Sequence, residues 1–144
     1  LLDTGSNMCM IDQHFADQNK LDICSGYKEY SFSTMNGLKT TRSRLRKFNL
    51  TSSDNLVTQT IVALECDSLD IAMVDWATVK SRFEHLKQIP FEDPPEDQKV
   101  PILLGTNYPA LFQNLEYVIG EDNDPIAFKS PLGWACYGPT MNQN

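Results

Sequence analysis

Short runs of alternating or wholly apolar residues follow one another along most of the chain, a pattern typical of strands. The runs that alternate or are rich in β-branched residues are 27–34, 39–50, 55–66, 116–120 and 125–138. Residues 100–105, VPILLG, are almost wholly apolar and end at a glycine, as a buried strand does. Asn36-Gly37 lies between two strand-like runs and indicates a hairpin, because both central residues of a type I′ turn need positive φ. The pattern predicts a mainly β protein with a hairpin tip at Asn36-Gly37.

One longer stretch, 75–89, has its apolar residues at helical spacing. These residues are Trp76, Val79, Phe83 and Leu86. Asp75 stands where a side chain can cap the first turn. We therefore predict one amphipathic helix that packs its apolar stripe on the domain, with a partner-binding face as the alternative. The acidic, proline-rich loop that follows at 90–99 is interpreted as solvated, and a processing or linker site is its alternative.

Two shorter helices are predicted from their first residues. Asp12 can cap a helix over 13–19 that buries Phe15. Asn107 can cap a helix over 108–112, where Pro109 fits the first turn because its missing N–H has no partner there. The predicted fold is therefore mainly β with two or three short helices.

Length and composition limit the class of protein. The 144 residues, 41% hydrophobic and 22% charged, suit a single globular domain over 1–144 that buries a core. The net charge of −7 argues against direct nucleic-acid binding, which needs a basic surface. The basic residues within 39–47 are interpreted as a solvated strand face, with a site for an acidic partner as the alternative. No run approaches the ~20 apolar residues of a membrane helix, so no membrane partner is expected.

The four cysteines are widely scattered and lack the paired spacing of a zinc site. Adding the two histidines gives no metal pattern, so neither a metal nor a cofactor is predicted. Reduced, partly buried thiols indicate an intracellular setting.

The candidate chemistry is at Asp3-Thr4-Gly5-Ser6, directly after the apolar pair Leu1-Leu2. One exposed aspartate is a weak base, and the tetrapeptide alone is also an ordinary strand-to-turn junction. Two aspartates held face to face share one proton, because both cannot ionise. Such a pair can activate a water and protonate a carbonyl oxygen, which is peptide hydrolysis by general acid–base catalysis.

The sequence holds one Asp-Thr-Gly and no second Asp-Ser/Thr-Gly. A second aspartate must then come from another chain. Two-fold symmetry places a residue near the axis against its own copy, so Asp3 predicts a homodimer.

Four motifs in order resemble the retropepsin-like aspartic proteases, and most closely the peptidase domain of Pao/BEL-type LTR retrotransposons. They are LLDTGSN at 1–7, Trp76 with His85-Leu86, ILLG running into NY at 102–108, and LGW…GP at 132–139. The resemblance covers nearly the whole chain and implies a retropepsin-like closed β-barrel.

The resemblance implies a role for each matching residue. Asp3 is the implied catalytic aspartate, Thr4 makes inter-subunit hydrogen bonds, and Gly5 lines the active-site floor. Ser6 is the usual small residue after that glycine. Leu104 and Gly105 support the catalytic loop from behind. The implied flap tip, which closes on substrate, consists of Met35, Asn36, Gly37 and Leu38. Leu38, Ile61 and Leu103 are considered as pocket walls, with core positions as the alternative.

The chain departs from the family pattern in four places. The flap tip has one glycine, Gly37, where retropepsins often have more. Thr106 follows the bracing glycine where relatives often carry an arginine or aspartate. Residues 68–99 form a helix-and-loop insertion, and the strand that normally precedes the catalytic loop is missing.

The expected function is an aspartic endopeptidase that cleaves a retroelement polyprotein, in the cytoplasm or in retroelement particles. The first alternative is a catalytically inactive, domesticated module of the same fold, used for dimerisation or peptide binding. The second is a chance occurrence of the motif in an unrelated β domain.

Overall fold

The computed structural model of the protein describes residues 1–141. Strands account for 38% and helices for 14% of the chain, which confirms a mainly β protein with few short helices. The chain forms two compact units. The first comprises Leu1–Leu50, Gln59–Asp70 and Val100–Asn107, and the second comprises Thr51–Thr58, Ile71–Lys99 and the chain from Tyr108 onward. The single domain over 1–144 stays a prediction.

The strands are numbered in chain order. They are β1 (Met10–Asp12), β2 (Asp22–Ile23), β3 (Lys28–Thr34), β4 (Gly37–Ser43), β5 (Leu45–Thr51), β6 (Thr58–Cys66), β7 (Ile102–Leu103), β8 (Glu116–Val118), β9 (Ile126–Ser130) and β10 (Gly133–Tyr137). The α-helices are α1 (Gln13–Gln18) and α2 (Trp76–Val79), and 3₁₀ turns lie at Lys80–Arg82, Glu84–Leu86 and Pro109–Phe112.

A five-stranded sheet in the order β2-β5-β6-β1-β7 contains the short strand β1, which follows the loop of residues 3–8, the Asp3 loop. β1 pairs in parallel with β6 and antiparallel with β7, so Met10 lies opposite both Leu64 and Leu103. Ile11 of β1 and Ile61 of β6 are fully buried. β2 and β7 are the sheet's edges, and the sheets within residues 1–141 do not close into a barrel. The closed retropepsin-like barrel therefore stays a prediction.

Helix α1 begins where the sequence indicates. The Asp12 side chain accepts a hydrogen bond from the Phe15 N–H at 2.9 Å, which satisfies one of the free donors of the first turn. The expected burial of Phe15 is only partial, and Ala16 is the helix residue that is fully buried.

The second unit contains a meander in the order β10-β9-β8 and the stretch 75–89. Val79, Phe83 and Leu86 are buried in one cluster with Ala127, which agrees with a stripe that packs on the protein. The Asp75 side chain caps α2 by accepting from the Thr78 N–H at 3.0 Å. The prediction of a single helix over this stretch is wrong. Phe83 has an extended backbone (φ −128°, ψ 119°) between two 3₁₀ turns, which ends the helical path.

The predicted cap at Asn107 is also wrong. The 3₁₀ turn at Pro109–Phe112 follows Tyr108 without a capping side chain. The Asn107 side chain instead accepts a hydrogen bond from the Cys9 thiol.

None of the helices within residues 1–141 combines the length and the apolar character needed to cross a membrane.

Candidate active site

The Asp3 loop is joined to the segment around Leu104 by its backbone. Leu2 and Leu104 form a parallel bridge, and the Asp3 N–H donates to the Leu104 carbonyl at 2.9 Å. The Leu104 N–H in turn donates to the Leu1 carbonyl at 2.8 Å. The structure therefore brings the predicted catalytic residue and the predicted supporting residue Leu104 together.

The Asp3 carboxylate is oriented by its own turn. The Gly5 N–H donates to Asp3 Oδ1 at 2.9 Å, and the Ser6 N–H donates to the Asp3 carbonyl at 3.3 Å. An aspartate that binds the backbone two residues further on closes a local turn and loses side-chain freedom. Ser6 extends the turn, because its hydroxyl donates to the Met8 carbonyl at 2.8 Å. The tetrapeptide thus holds one carboxylate oxygen in place.

Gly105 makes the closest backbone contact with this loop. A Cβ at this position would lie 2.6 Å from both the amide nitrogen and the carbonyl oxygen of Met8. Contacts this short are repulsive, and backbone atoms cannot swing away as a flexible side chain can. Only glycine fits here, so Gly105 lies directly behind the loop that carries Asp3.

Thr106 adds two hydrogen bonds to the same loop. Its N–H and its hydroxyl donate to the Ser6 carbonyl at 2.8 and 3.1 Å. Thr106 thus supplies a neutral pair of donors that holds Ser6 against the segment 104–106.

The outer side of the loop is open. Asp3 is half-buried, whereas Thr4 and Gly5 are exposed. Within residues 1–141, the structure gives the Thr4 hydroxyl no hydrogen-bond partner. The Thr4 hydroxyl is therefore accessible from this side of the loop.

The predicted flap is a two-stranded hairpin of β3 and β4. Thr34 pairs with Gly37, so Met35-Asn36 is the tip, and the prediction of Asn36-Gly37 is wrong by one residue. The positive φ of 106° occurs at Gly37 and not at Asn36, because glycine has no Cβ to clash there. The Thr34 hydroxyl closes the turn by donating to the Gly37 carbonyl at 2.8 Å.

Two apolar side chains at the hairpin tip face solvent. Met35 is fully exposed and Leu38 is 73% exposed. In the described part of the chain, no hydrogen bond joins this tip to the Asp3 loop. The structure thus forms both predicted elements but does not bring them together.

A cleft of about 240 Å³ lies between the base of the hairpin and the sheet. Tyr27 and Phe32 line it from the hairpin side, and Met10 and Leu64 line it from β1 and β6. Ile61 and Leu103, considered as pocket walls, are buried core residues at 0% and 7% exposure.

The basic run 39–47 is not a uniformly solvated face, because two of its arginines pair with Glu65. Arg46 and Glu65 are both buried, and Arg46 Nε donates to Glu65 Oε2 at 2.5 Å. Arg46 also pairs with Asp17 of α1, and Arg44 Nε donates to Glu65 at 2.8 Å. Buried charges of this kind need such partners to offset their lost hydration. Sequence reasoning missed this network because its partners are far apart in the chain.

Cys9 is a further residue of the site that sequence reasoning missed. It is fully buried, and its sulfur accepts a hydrogen bond from the Gly105 N–H at 3.3 Å. Its thiol donates to Asn107 Oδ1 at 3.4 Å. Only its position four residues after Gly5 and beside the apolar run could have suggested this contact.

We expect alkylation to distinguish the four thiols. Cys24 is exposed, whereas burial raises the pKa of Cys66 to about 11 and that of Cys136 to about 12. Burial also raises the pKa of Cys9. Because the thiolate is the reactive form, iodoacetamide at pH 8 should modify Cys24 about 100-fold faster than the other three. Peptide mass spectrometry over time measures the order, and modification of Cys66 as fast as Cys24 would contradict it.

Among residues 1–141, no three histidine, cysteine or acidic side chains are grouped so that they can hold a metal ion. No family model, no curated protein and no solved structure matches this chain.

Proposed function

We propose that this chain is one half of an aspartic endopeptidase with a retropepsin-like fold, and that it cleaves the polyprotein of a retroelement. The supporting observation is that the half-buried Asp3, held by the Gly5 N–H, lies in a loop that is braced by Leu104 and Thr106 and is open on its outer side. A preorganised carboxylate on a rigid support is what acid–base catalysis requires.

In the proposed homodimer, each chain contributes one Asp3 carboxylate at the two-fold axis. The pair binds one proton, because two carboxylates in contact cannot both be charged. The charged Asp3 takes a proton from water, the resulting nucleophile attacks the peptide carbonyl carbon, and the neutral Asp3 protonates the carbonyl oxygen. The first Asp3 then gives the proton it took from water to the amide nitrogen, while the second takes a proton from a hydroxyl of the tetrahedral species. The C–N bond breaks, the amine and the carboxylic acid leave, and the pair again holds one proton. No metal, cofactor or covalent intermediate is needed.

The β3–β4 hairpin is the proposed flap. An extended peptide can pair with strand backbone as an added strand, and alternate side chains then enter pockets. The exposed apolar tip at Met35 and Leu38 is suited to cover an apolar substrate side chain. The cleft beside Tyr27 and Phe32 is the proposed pocket in the same unit, in place of the buried Ile61 and Leu103.

Peptide hydrolysis by the purified chain tests this function. We expect cleavage of an extended peptide library between about pH 4 and pH 7, and inhibition by a peptide that carries a hydroxyl in place of the scissile carbonyl. The rate per chain should rise with protein concentration, because only dimers are active. Sedimentation measured over the same range gives the dimer fraction.

Two results contradict the proposal. A rate per chain that stays constant while sedimentation shows monomers excludes a shared active site. A dimer that binds the library without cleaving any peptide supports the inactive dimerisation or peptide-binding module instead.

A further inference from the structure

The Cys9 side chain lies at the junction between the Asp3 loop and the segment behind it. Its sulfur accepts the Gly105 N–H at 3.3 Å, and its thiol hydrogen points to Asn107 Oδ1 at 3.4 Å. The Cys9 carbonyl accepts the Leu64 N–H of β6 at 2.9 Å. One residue thus connects the loop, the core strand β6 and the segment 105–107.

We propose that Cys9 is a positioning residue, whose thiol holds the segment 105–107 in register behind the Asp3 loop. Its effect on catalysis rests on the function proposed above, whereas its effect on the Gly105 backbone does not.

The register matters because Gly105 has little freedom to move. Its Cα lies so close to Met8 that a Cβ would meet the Met8 backbone at 2.6 Å. A buried N–H without an acceptor is costly, so loss of the thiol leaves the Gly105 N–H either unpaired or shifted toward another partner. A shift of Gly105 along the loop moves Thr106, which holds Ser6 at 2.8 Å, and with it the turn that orients Asp3.

The thiol acts in its protonated form. It donates one hydrogen bond and accepts one, and a thiolate has no hydrogen to donate to Asn107. Burial raises the pKa of Cys9, which keeps the thiol protonated at neutral pH. Asn107, which accepts the hydrogen bond from the Cys9 thiol, is exposed, so its replacement leaves the buried packing intact.

A pair of isosteric variants tests the inference. Cys9→Thr keeps a group that can donate and accept a hydrogen bond. Cys9→Val has the shape of threonine but lacks the hydroxyl. Amide hydrogen exchange at Gly105 should be about tenfold faster in Cys9→Val than in wild type, and near wild type in Cys9→Thr. In peptide hydrolysis, Cys9→Val should lower kcat about tenfold with little change in KM, and Cys9→Thr should restore kcat. Asn107→Ala should speed Gly105 exchange in the same direction by a smaller factor.

The inference is overturned if Cys9→Val and Cys9→Thr show the same Gly105 exchange, or if exchange rises equally at amides far from the site. If Cys9→Val does not fold, Asn107→Ala alone decides, and unchanged Gly105 exchange in that variant overturns the inference. Absence of peptide cleavage in wild type would contradict the proposed function, while the exchange comparison would still test the role of Cys9.

Discussion

Replacement of Gly105 by alanine is expected to lower the free energy of unfolding by about 3 kcal/mol. The added Cβ would overlap the Met8 amide nitrogen and carbonyl oxygen at 2.6 Å. Relief requires movement of backbone, either in the Asp3 loop or in the segment that carries Thr106. The bonds from Thr106 to Ser6 and from Gly105 to Cys9 are then strained or lost. Denaturant unfolding followed by circular dichroism measures the change.

Gly26→Ala is the matched control for this substitution. Gly26 is exposed, has no heavy atom within 4 Å of an added Cβ and does not have a positive φ. Its replacement should change the free energy of unfolding by less than about 1 kcal/mol. Equal stability of the two variants would show that Gly105 has room for a side chain beside the Asp3 loop, which contradicts the close contact with Met8.

Replacement of Asp3 by asparagine is expected to lower the rate of peptide hydrolysis by about 10³-fold or more. Asparagine has the shape of aspartate, and its Oδ1 can still accept the Gly5 N–H at 2.9 Å. It cannot take a proton from water or carry the shared proton of the pair. The stability of the variant should therefore remain near that of wild type while hydrolysis is lost.

Asp22→Asn provides the control. Asp22 is an exposed residue of strand β2, and its replacement removes the same charge. Initial rates on one cleavable peptide, with unfolding curves of each variant, separate loss of catalysis from loss of folding. Hydrolysis by Asp3→Asn at the rate of Asp22→Asn would remove Asp3 from the catalytic role.

Local signals in the sequence predicted part of this structure correctly. The caps at Asp12 and Asp75 depend on a side chain reaching an N–H three residues on, so a short stretch is enough to indicate them. The β3–β4 hairpin is local as well, since two strand-like runs flank one turn. The predicted tip lies one residue too far along the chain, because Gly37 has a positive φ and Asn36 does not.

Contacts between distant parts of the chain were not predictable in the same way. Val79, Phe83 and Leu86 were correctly assigned to the core, but the helix breaks at Phe83 because tertiary packing outweighs helical spacing in so short a stretch. The buried pair of Arg46 and Glu65 depends on two strands meeting, which no local pattern reveals.

The candidate site was predicted unevenly for the same reason. Leu104 and Gly105 contact the Asp3 loop, and their role as support for a catalytic loop stays a prediction. Cys9 and Asn107 were missed, because a thiol and an amide 98 positions apart carry no motif that links them. The pairing of two Asp3 residues across a dimer stays a prediction.

The central claim is that two copies of one aspartate form the catalytic pair. Mixing wild-type chains with Asp3→Asn chains tests this claim most directly. At equal amounts and constant total concentration, random pairing makes about one quarter of the dimers wild type in both halves. After exchange of subunits, peptide hydrolysis should fall to about one quarter of the wild-type rate and follow the square of the wild-type fraction. A fall to about one half, linear in the wild-type fraction, would show that each chain acts alone and would contradict the account.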